Sequence, residues 1–98
     1  MAIKSFKDKV TEDINYGRVS KQTLRRLPNE LHLKAQTKLA RIGAATSIRD
    51  LQDLKGNRLE VLRGDRKGQY SIRINDQYRI CFIWEKQDAF EVEIVDYH

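Results

Sequence analysis

The chain is poor in the residues that anchor covalent or metal chemistry. Its 98 residues hold one cysteine, one proline, one tryptophan, one methionine and two histidines. A lone Cys81 closes no disulfide within the chain, so the fold must rest on a hydrophobic core rather than on cross-links. His32 and His98 stand far apart and no carboxylates cluster with them, which leaves no usual metal-ligand spacing. No glycine-rich loop precedes a helix, so a nucleotide cofactor is not expected and no cofactor is assigned. No apolar run approaches the roughly 18 residues of a membrane span. The N-terminal Met1-Ala2-Ile3-Lys4-Ser5-Phe6 meets a charge too early for a secretory signal. By elimination the expectation is a cytoplasmic protein with no membrane partner, one domain over residues 1–98.

What is present is charge. Lys and Arg number 19 against 14 Asp and Glu, a formal net charge of +5. Residues 1–48 carry ten basic against four acidic side chains, and residues 49–79 carry eight against five. Residues 81–98 reverse the sign, with one Lys against five acids. Such a basic surface suits a nucleic acid or an acidic protein, and equally a solvated face.

Hydrophobic spacing changes period part-way along the chain. Leu31, Ala35, Leu39 and Ile42 recur every three or four residues, predicting an amphipathic helix from near Pro28 to Gly43. A shorter helix is predicted over Lys9–Tyr16, closed by Gly17, with another turn capped by Ser20 or Thr23. Thr46 or Ser47 caps a last short helix through Leu51. Beyond residue 57 the period is two. Tyr70/Ile72/Ile74, Tyr78/Ile80/Phe82/Trp84 and Phe90/Val92/Ile94 each alternate with other side chains, predicting half-buried antiparallel strands. Arg58–Leu62 is a fourth strand, and Ile3–Phe6 an extra edge. The architecture is α+β, N-terminal helices packed on a C-terminal antiparallel sheet.

Strand parity then places charges. For both aromatic-aliphatic runs to face one core, the loop Asn75-Asp76-Gln77 must hold three residues, setting Ile74 opposite Tyr78 and Arg73 opposite Arg79. The next hairpin pairs Trp84 with Phe90, Phe82 with Val92, Ile80 with Ile94, and Asp96 with Tyr78. Two arginines side by side on the face away from the helices destabilise a sheet unless an anion lies between them. With Asp96-Tyr97-His98 at the same sheet end, that surface is either an anion site flanked by acid and base, as phosphodiester cleavage requires, or a pair of arginines solvated or bound by Glu91, Glu93 or the chain terminus.

The runs Leu59-Glu60-Val61-Leu62-Arg63-Gly64-Asp65-Arg66-Lys67-Gly68, Gln69-Tyr70-Ser71-Ile72-Arg73-Ile74-Asn75-Asp76-Gln77-Tyr78-Arg79-Ile80-Cys81-Phe82 and Val92-Glu93-Ile94-Val95-Asp96-Tyr97-His98 resemble the HigB toxins (plasmid maintenance killer proteins) of the RelE/ParE superfamily. The resemblance implies a RelE-like microbial RNase fold and a toxin-antitoxin function. The activity it implies is metal-free endoribonuclease cleavage of mRNA in the ribosomal A site, by attack of a ribose 2′-hydroxyl. It also implies a HigA-type helix-turn-helix antitoxin, through which alone operator DNA would be bound.

Position by position, the resemblance makes Arg79 the arginine that steadies the cleaved phosphate, and Asp96, Tyr97 and His98 the terminal trio for acid-base chemistry and substrate placement. Arg63 stands where some members carry a functional Lys, and Arg66 belongs to a phosphate-binding Gly-Asp-Arg loop. Arg73 follows from the register instead. Glu60 replaces a His that some members use as general base; it is either that base or a structural partner for Arg63 or Arg79. Competing readings are a ParE-like toxin acting on gyrase by binding, and a non-catalytic protein that binds RNA or an antitoxin.

Overall fold

The computed structural model describes residues 3–54 and 56–96. Four helices come first: α1 Lys9–Asn15, α2 Lys21–Arg26, α3 His32–Ala44 and α4 Ile48–Gln52. Four strands follow, β1 Glu60–Val61, β2 Gln69–Arg73, β3 Tyr78–Glu85 and β4 Asp88–Asp96, in an antiparallel sheet ordered β1-β2-β3-β4. Two 3-10 turns, Asn29–Leu31 and Gly64–Arg66, lead into α3 and β2.

Short polar side chains start the helices by satisfying amides that have no intrahelical partner. Asp8 accepts from the Thr11 amide at 2.7 Å. Ser20 and Thr23 form a reciprocal capping box on α2, as do Ser47 and Asp50 on α4. α3 follows the predicted period, with Ala35, Leu39 and Ile42 fully buried. His32 is buried as well, its Nε2 bonded to the Leu27 carbonyl oxygen at 2.8 Å. These helices cover Ile72, Ile74, Ile80, Phe82, Val92 and Ile94 on one face of the sheet. Trp84 is partly buried against that core.

One cross-link ties α1, α2 and β4 together. Arg26 Nη1 donates to Asp8 Oδ2 at 2.8 Å and to the Ile94 carbonyl at 3.2 Å, while the Ile94 amide donates to Thr11 Oγ1 at 3.1 Å. Burial alone would raise the proton affinity of the Asp8 carboxyl, but the Thr11 amide and Arg26 outweigh it and hold the group below its ordinary value. A folded-state value below the unfolded one stabilises at pH above about 4, and that stabilisation is lost as pH falls through the folded value. Asp8→Ala is therefore expected to cost about 0.5–2 kcal/mol at neutral pH. Urea unfolding at pH 7 and pH 3 checks it: the gap between variant and parent narrows in acid, and an equal gap at both would contradict the linkage.

The β2–β3 register is the predicted one. Arg73 pairs with Arg79, Ile72 with Ile80, and Asn75 Oδ1 accepts the Gln77 and Tyr78 amides inside the loop. The β3–β4 register is half as predicted. Ile80 pairs with Ile94 and Tyr78 with Asp96, but Trp84 pairs with Ala89 and Ile83 with Phe90. The hairpin closes through Lys86 and Gln87, both at positive φ, instead of a five-residue loop. A two-residue turn with that backbone matches the strand twist, yet it moves every later residue of β4 to the wrong face. A bulge between the Cys81–Glu93 and Ile83–Phe90 pairs, with Glu91 at φ +52°, restores the parity. Ala89 therefore takes the buried position expected for Phe90.

The N-terminal segment lies beside β4 through single bridges, Ile3 to Ala89 and Phe6 to Val92. Its expected edge pairing is thus present, in parallel sense. The fourth strand is shorter than Arg58–Leu62, keeping only Glu60 opposite Ser71 and Val61 opposite Tyr70.

Candidate active site

The face of the sheet turned from the helices is unusually polar for a buried surface. Ser71 and Cys81 pair directly across β2 and β3 and are both fully buried. Arg79, one step along β3, is only 7% exposed. Burying a guanidinium is costly unless its donors are met, and here they are. Nε donates to Ser71 Oγ at 2.7 Å, and Nη2 donates to the Ser71 carbonyl at 3.3 Å and to the Arg58 carbonyl. Nη1 lies 3.7 Å from Glu60 Oε1, whose side chain is 51% exposed. The arginine is held by two of its nitrogens while its remaining edge meets a carboxylate at the surface.

Arg73, though opposite Arg79, turns away to Asp76. That contact holds the Asp76 carboxyl below its ordinary value, the Arg73 hydrogen bond being the main cause. The two like charges are tolerated in one cross-strand pair because each finds its own acceptors. Arg66 reaches the same face from the Gly64–Arg66 turn, donating to Gln69 Oε1 at 3.2 Å and to Glu93 Oε1 at 3.1 Å. Glu93 also meets Lys7 at 3.8 Å. Arg63 is exposed at the start of that turn. Burial pushes the Cys81 thiol up, away from the thiolate a nucleophile requires. Among the described residues no three His, Cys, Asp or Glu side chains gather as a metal site would need.

Asp96 is placed differently from the rest. Val95 pairs with Arg79, so parity sets Asp96 with Tyr78 on the other face. There Gln77 Nε2 donates to Asp96 Oδ2 at 3.1 Å. A groove of about 380 Å³ beside it is lined by Arg25, Arg26, Tyr78 and Asp96. The structure thus brings Arg79 and Glu60 together, sets Arg66 along the same face, and keeps Arg73 and Asp96 at the sheet end with side chains turned elsewhere. Tyr97 and His98 lie outside the described residues.

Comparison with known proteins decides the family. Residues 4–98 match the family described as the RelE-like toxin of the type II toxin-antitoxin system HigB. The chain belongs to the HigB-like toxin family. It is 39% identical over 79 residues to Toxin HigB-1 of Vibrio cholerae serotype O1, covering 81% of this chain and 80% of that one. It is also 35% identical over 64 residues to an uncharacterized protein of Haemophilus influenzae, 65% of this chain and 63% of that one. In fold it is similar to a chain of the YoeB-YefM complex from Staphylococcus aureus, with TM-score 0.61, 21% identity, and coverage of 98% and 94%. The likeness supports the α+β RelE-like fold. As a HigB-like toxin of a type II system, the protein has an antitoxin partner. Among the described residues no helix is long and apolar enough to cross a membrane.

Sequence reasoning missed two parts of this site. Ser71 lies within a run that resembles the family but gains no role from it, yet the β2–β3 register already placed it on the Arg79 face, one pair along. The Arg58 carbonyl left no signal at all, because a backbone oxygen is aimed by a turn and not by a side-chain identity.

Proposed function

We propose that this HigB-like toxin is an endoribonuclease that cuts mRNA in the ribosomal A site of translating ribosomes. The observation that supports this best is Arg79, buried and gripped on two nitrogens, with its third edge beside the exposed carboxylate of Glu60. A fixed cation next to a proton acceptor suits one reaction closely. The ribose 2′-hydroxyl gives its proton to a base, and its oxygen bonds to the adjacent phosphorus. The bond from phosphorus to the 5′-oxygen breaks, and that oxygen takes a proton. The products are a 2′,3′-cyclic phosphate and a free 5′-hydroxyl.

Arg79 balances the charge that builds on the pentavalent phosphorus, where a preorganised donor is worth far more than in water. Glu60 takes the 2′-hydroxyl proton, and Tyr97 and His98 serve proton delivery and substrate placement. Asp96, whose side chain is on the other face with Gln77, helps substrate placement from the sheet end. Arg63, Arg66 and Arg73 hold the flanking phosphates, Arg66 and Arg73 by exchanging their present acidic partners for them. Side chains alone carry the step, with no cofactor. The antitoxin is of the HigA type, a helix-turn-helix protein through which the pair reaches operator DNA, and the toxin acts in the cytoplasm.

Purified toxin added to a translation mixture tests the reading. Primer extension is expected to show cuts within translated codons, with 5′-hydroxyl ends that polynucleotide kinase labels directly. Ribosome-free RNA is expected to stay whole. Uncut mRNA together with inhibited supercoiling by gyrase would establish the ParE-like alternative instead. Uncut mRNA with retained RNA or antitoxin binding would establish the non-catalytic one.

A further inference from the structure

Asn57 is fully buried between the helical layer and the sheet, and all its polar groups are engaged. Its Nδ2 donates to the Leu51 carbonyl at 3.0 Å and its amide to the Leu54 carbonyl at 3.2 Å. Its carbonyl accepts the Arg73 amide at 2.6 Å, at the end of β2. Its Oδ1 accepts from Lys38 Nζ at 2.6 Å. Lys38 projects inward from α3 and is only 8% exposed. A lysine so placed is costly, and its neighbours add to the cost. Burial first, then Arg41, Lys34 and Arg73, depress its proton affinity. A core could fill that position with an apolar side chain at less expense, so the pair calls for a local reason.

The next residue supplies one. Arg58 sits at φ +45°, a backbone region that side chains other than glycine adopt rarely and at a cost. Its own side chain is exposed, so that conformation is imposed by its neighbours. Asn57 fixes the peptide on one side, and the β1–β2 pairing fixes it on the other. The outcome is a carbonyl aimed at Arg79 Nη2. A chain of contacts therefore runs from α3 through Lys38, Asn57 and the Arg58 carbonyl to the guanidinium.

We infer that Lys38 and Asn57 are positioning residues for Arg79, holding the strained Arg58 turn whose carbonyl, together with Ser71, locks Nη2 of the guanidinium. The inference rests on the ribonuclease reading of Arg79. It assigns the pair no contact with RNA. Losing either member frees the Arg58 peptide to relax and lets the guanidinium swing toward Glu60, weakening its alignment with a phosphate while its charge remains. Misplacing a catalytic group by about 1 Å through a change away from the chemistry can lower the rate by up to about 100-fold.

Lys38→Met, Asn57→Ala and Lys38→Arg, with Arg79→Ala as reference, test it in the translation assay. Toxin concentration is varied to separate the maximal cleavage rate from half-saturation. Lys38→Met and Asn57→Ala are expected to lower the maximal rate by about 10–100-fold, with half-saturation within about twofold of the parent, as lost transition-state contacts do. Lys38→Arg keeps a cationic donor and is expected to recover most of the rate. In nitrogen-15 spectra the Arg79 Nε–H signal, sheltered by Ser71, should shift or broaden in both damaging variants. Folded Lys38→Met and Asn57→Ala proteins that cleave at the parental rate would overturn the inference while leaving the ribonuclease reading intact, provided Arg79→Ala is inactive. An active Arg79→Ala would overturn both. If Lys38→Met does not fold, the pair is a plain structural support and the inference is overturned as well.

Discussion

Arg79→Ala is expected to cut the rate of mRNA cleavage on translating ribosomes by about 10²–10³-fold, the usual cost of removing one preorganised donor from a developing charge. The size follows from how Arg79 is held. Its Nε and Nη2 are committed to Ser71 and to the Arg58 carbonyl, so the guanidinium meets a phosphate without first losing rotamer freedom. The same contacts make the variant somewhat less stable. Ser71 Oγ and the Arg58 carbonyl lose a buried donor, at about 1–3 kcal/mol per stranded group, so the rate must be read well below the variant's melting temperature. Arg79→Lys separates charge from geometry. It keeps the cation but offers a point charge instead of a planar fork, and is expected to recover less than about a tenth of the lost rate. Growth arrest after induction should fall with the cleavage rate, and antitoxin capture should not. A fully active Arg79→Ala protein would remove the basis for assigning chemistry to this face.

Much of this arrangement is legible in the amino-acid sequence. The spacing of Leu31, Ala35, Leu39 and Ile42 gave α3, because one helical face can be buried only at that period. The three residues Asn75-Asp76-Gln77 fixed the β2–β3 register, since parity forbids an even loop when both flanking runs are apolar on one side. That step placed Arg73 against Arg79, and the structure keeps the pair. Where sequence fell short, the cause was local backbone. Lys86 and Gln87 make a turn usually built from Asn and Gly, and Glu91 bulges β4 without a glycine to announce it. Parity alone then set Phe90 in the core and Ala89 out of it. The same kind of blindness hid the Arg58 turn behind Arg79. Positive φ at an ordinary residue is imposed by tertiary contacts, such as those of Asn57, that a local pattern does not encode. The Asp96 side chain is a subtler case. Its pairing with Tyr78 was foreseen, and the consequence that it faces away from Arg79 follows from that very pairing.

The bulge gives the second large effect. Phe82 is fully buried, its ring stacked on Tyr70 at 6.2 Å and edge-on to Trp84 at 6.4 Å, opposite the point where β4 shifts register. Phe82→Ala removes that ring from a core built around it, and truncations of this kind cost about 3–5 kcal/mol. Small domains hold only about 5–15 kcal/mol in all, so the melting temperature should fall by roughly 12–40 °C. The measurement needs toxin freed of antitoxin, because a bound partner stabilises the folded state by mass action and would mask the loss. Phe90→Ala is the informative control. Unbulged pairing would bury Phe90 opposite Trp84, whereas here it pairs with Ile83 on the other face and is only half-buried. Its truncation should therefore cost less than half as much, about 1–2 kcal/mol. Equal losses at positions 82 and 90 would put both rings in one core and leave no room for the bulge that aligns Val92 and Ile94 beneath the helices.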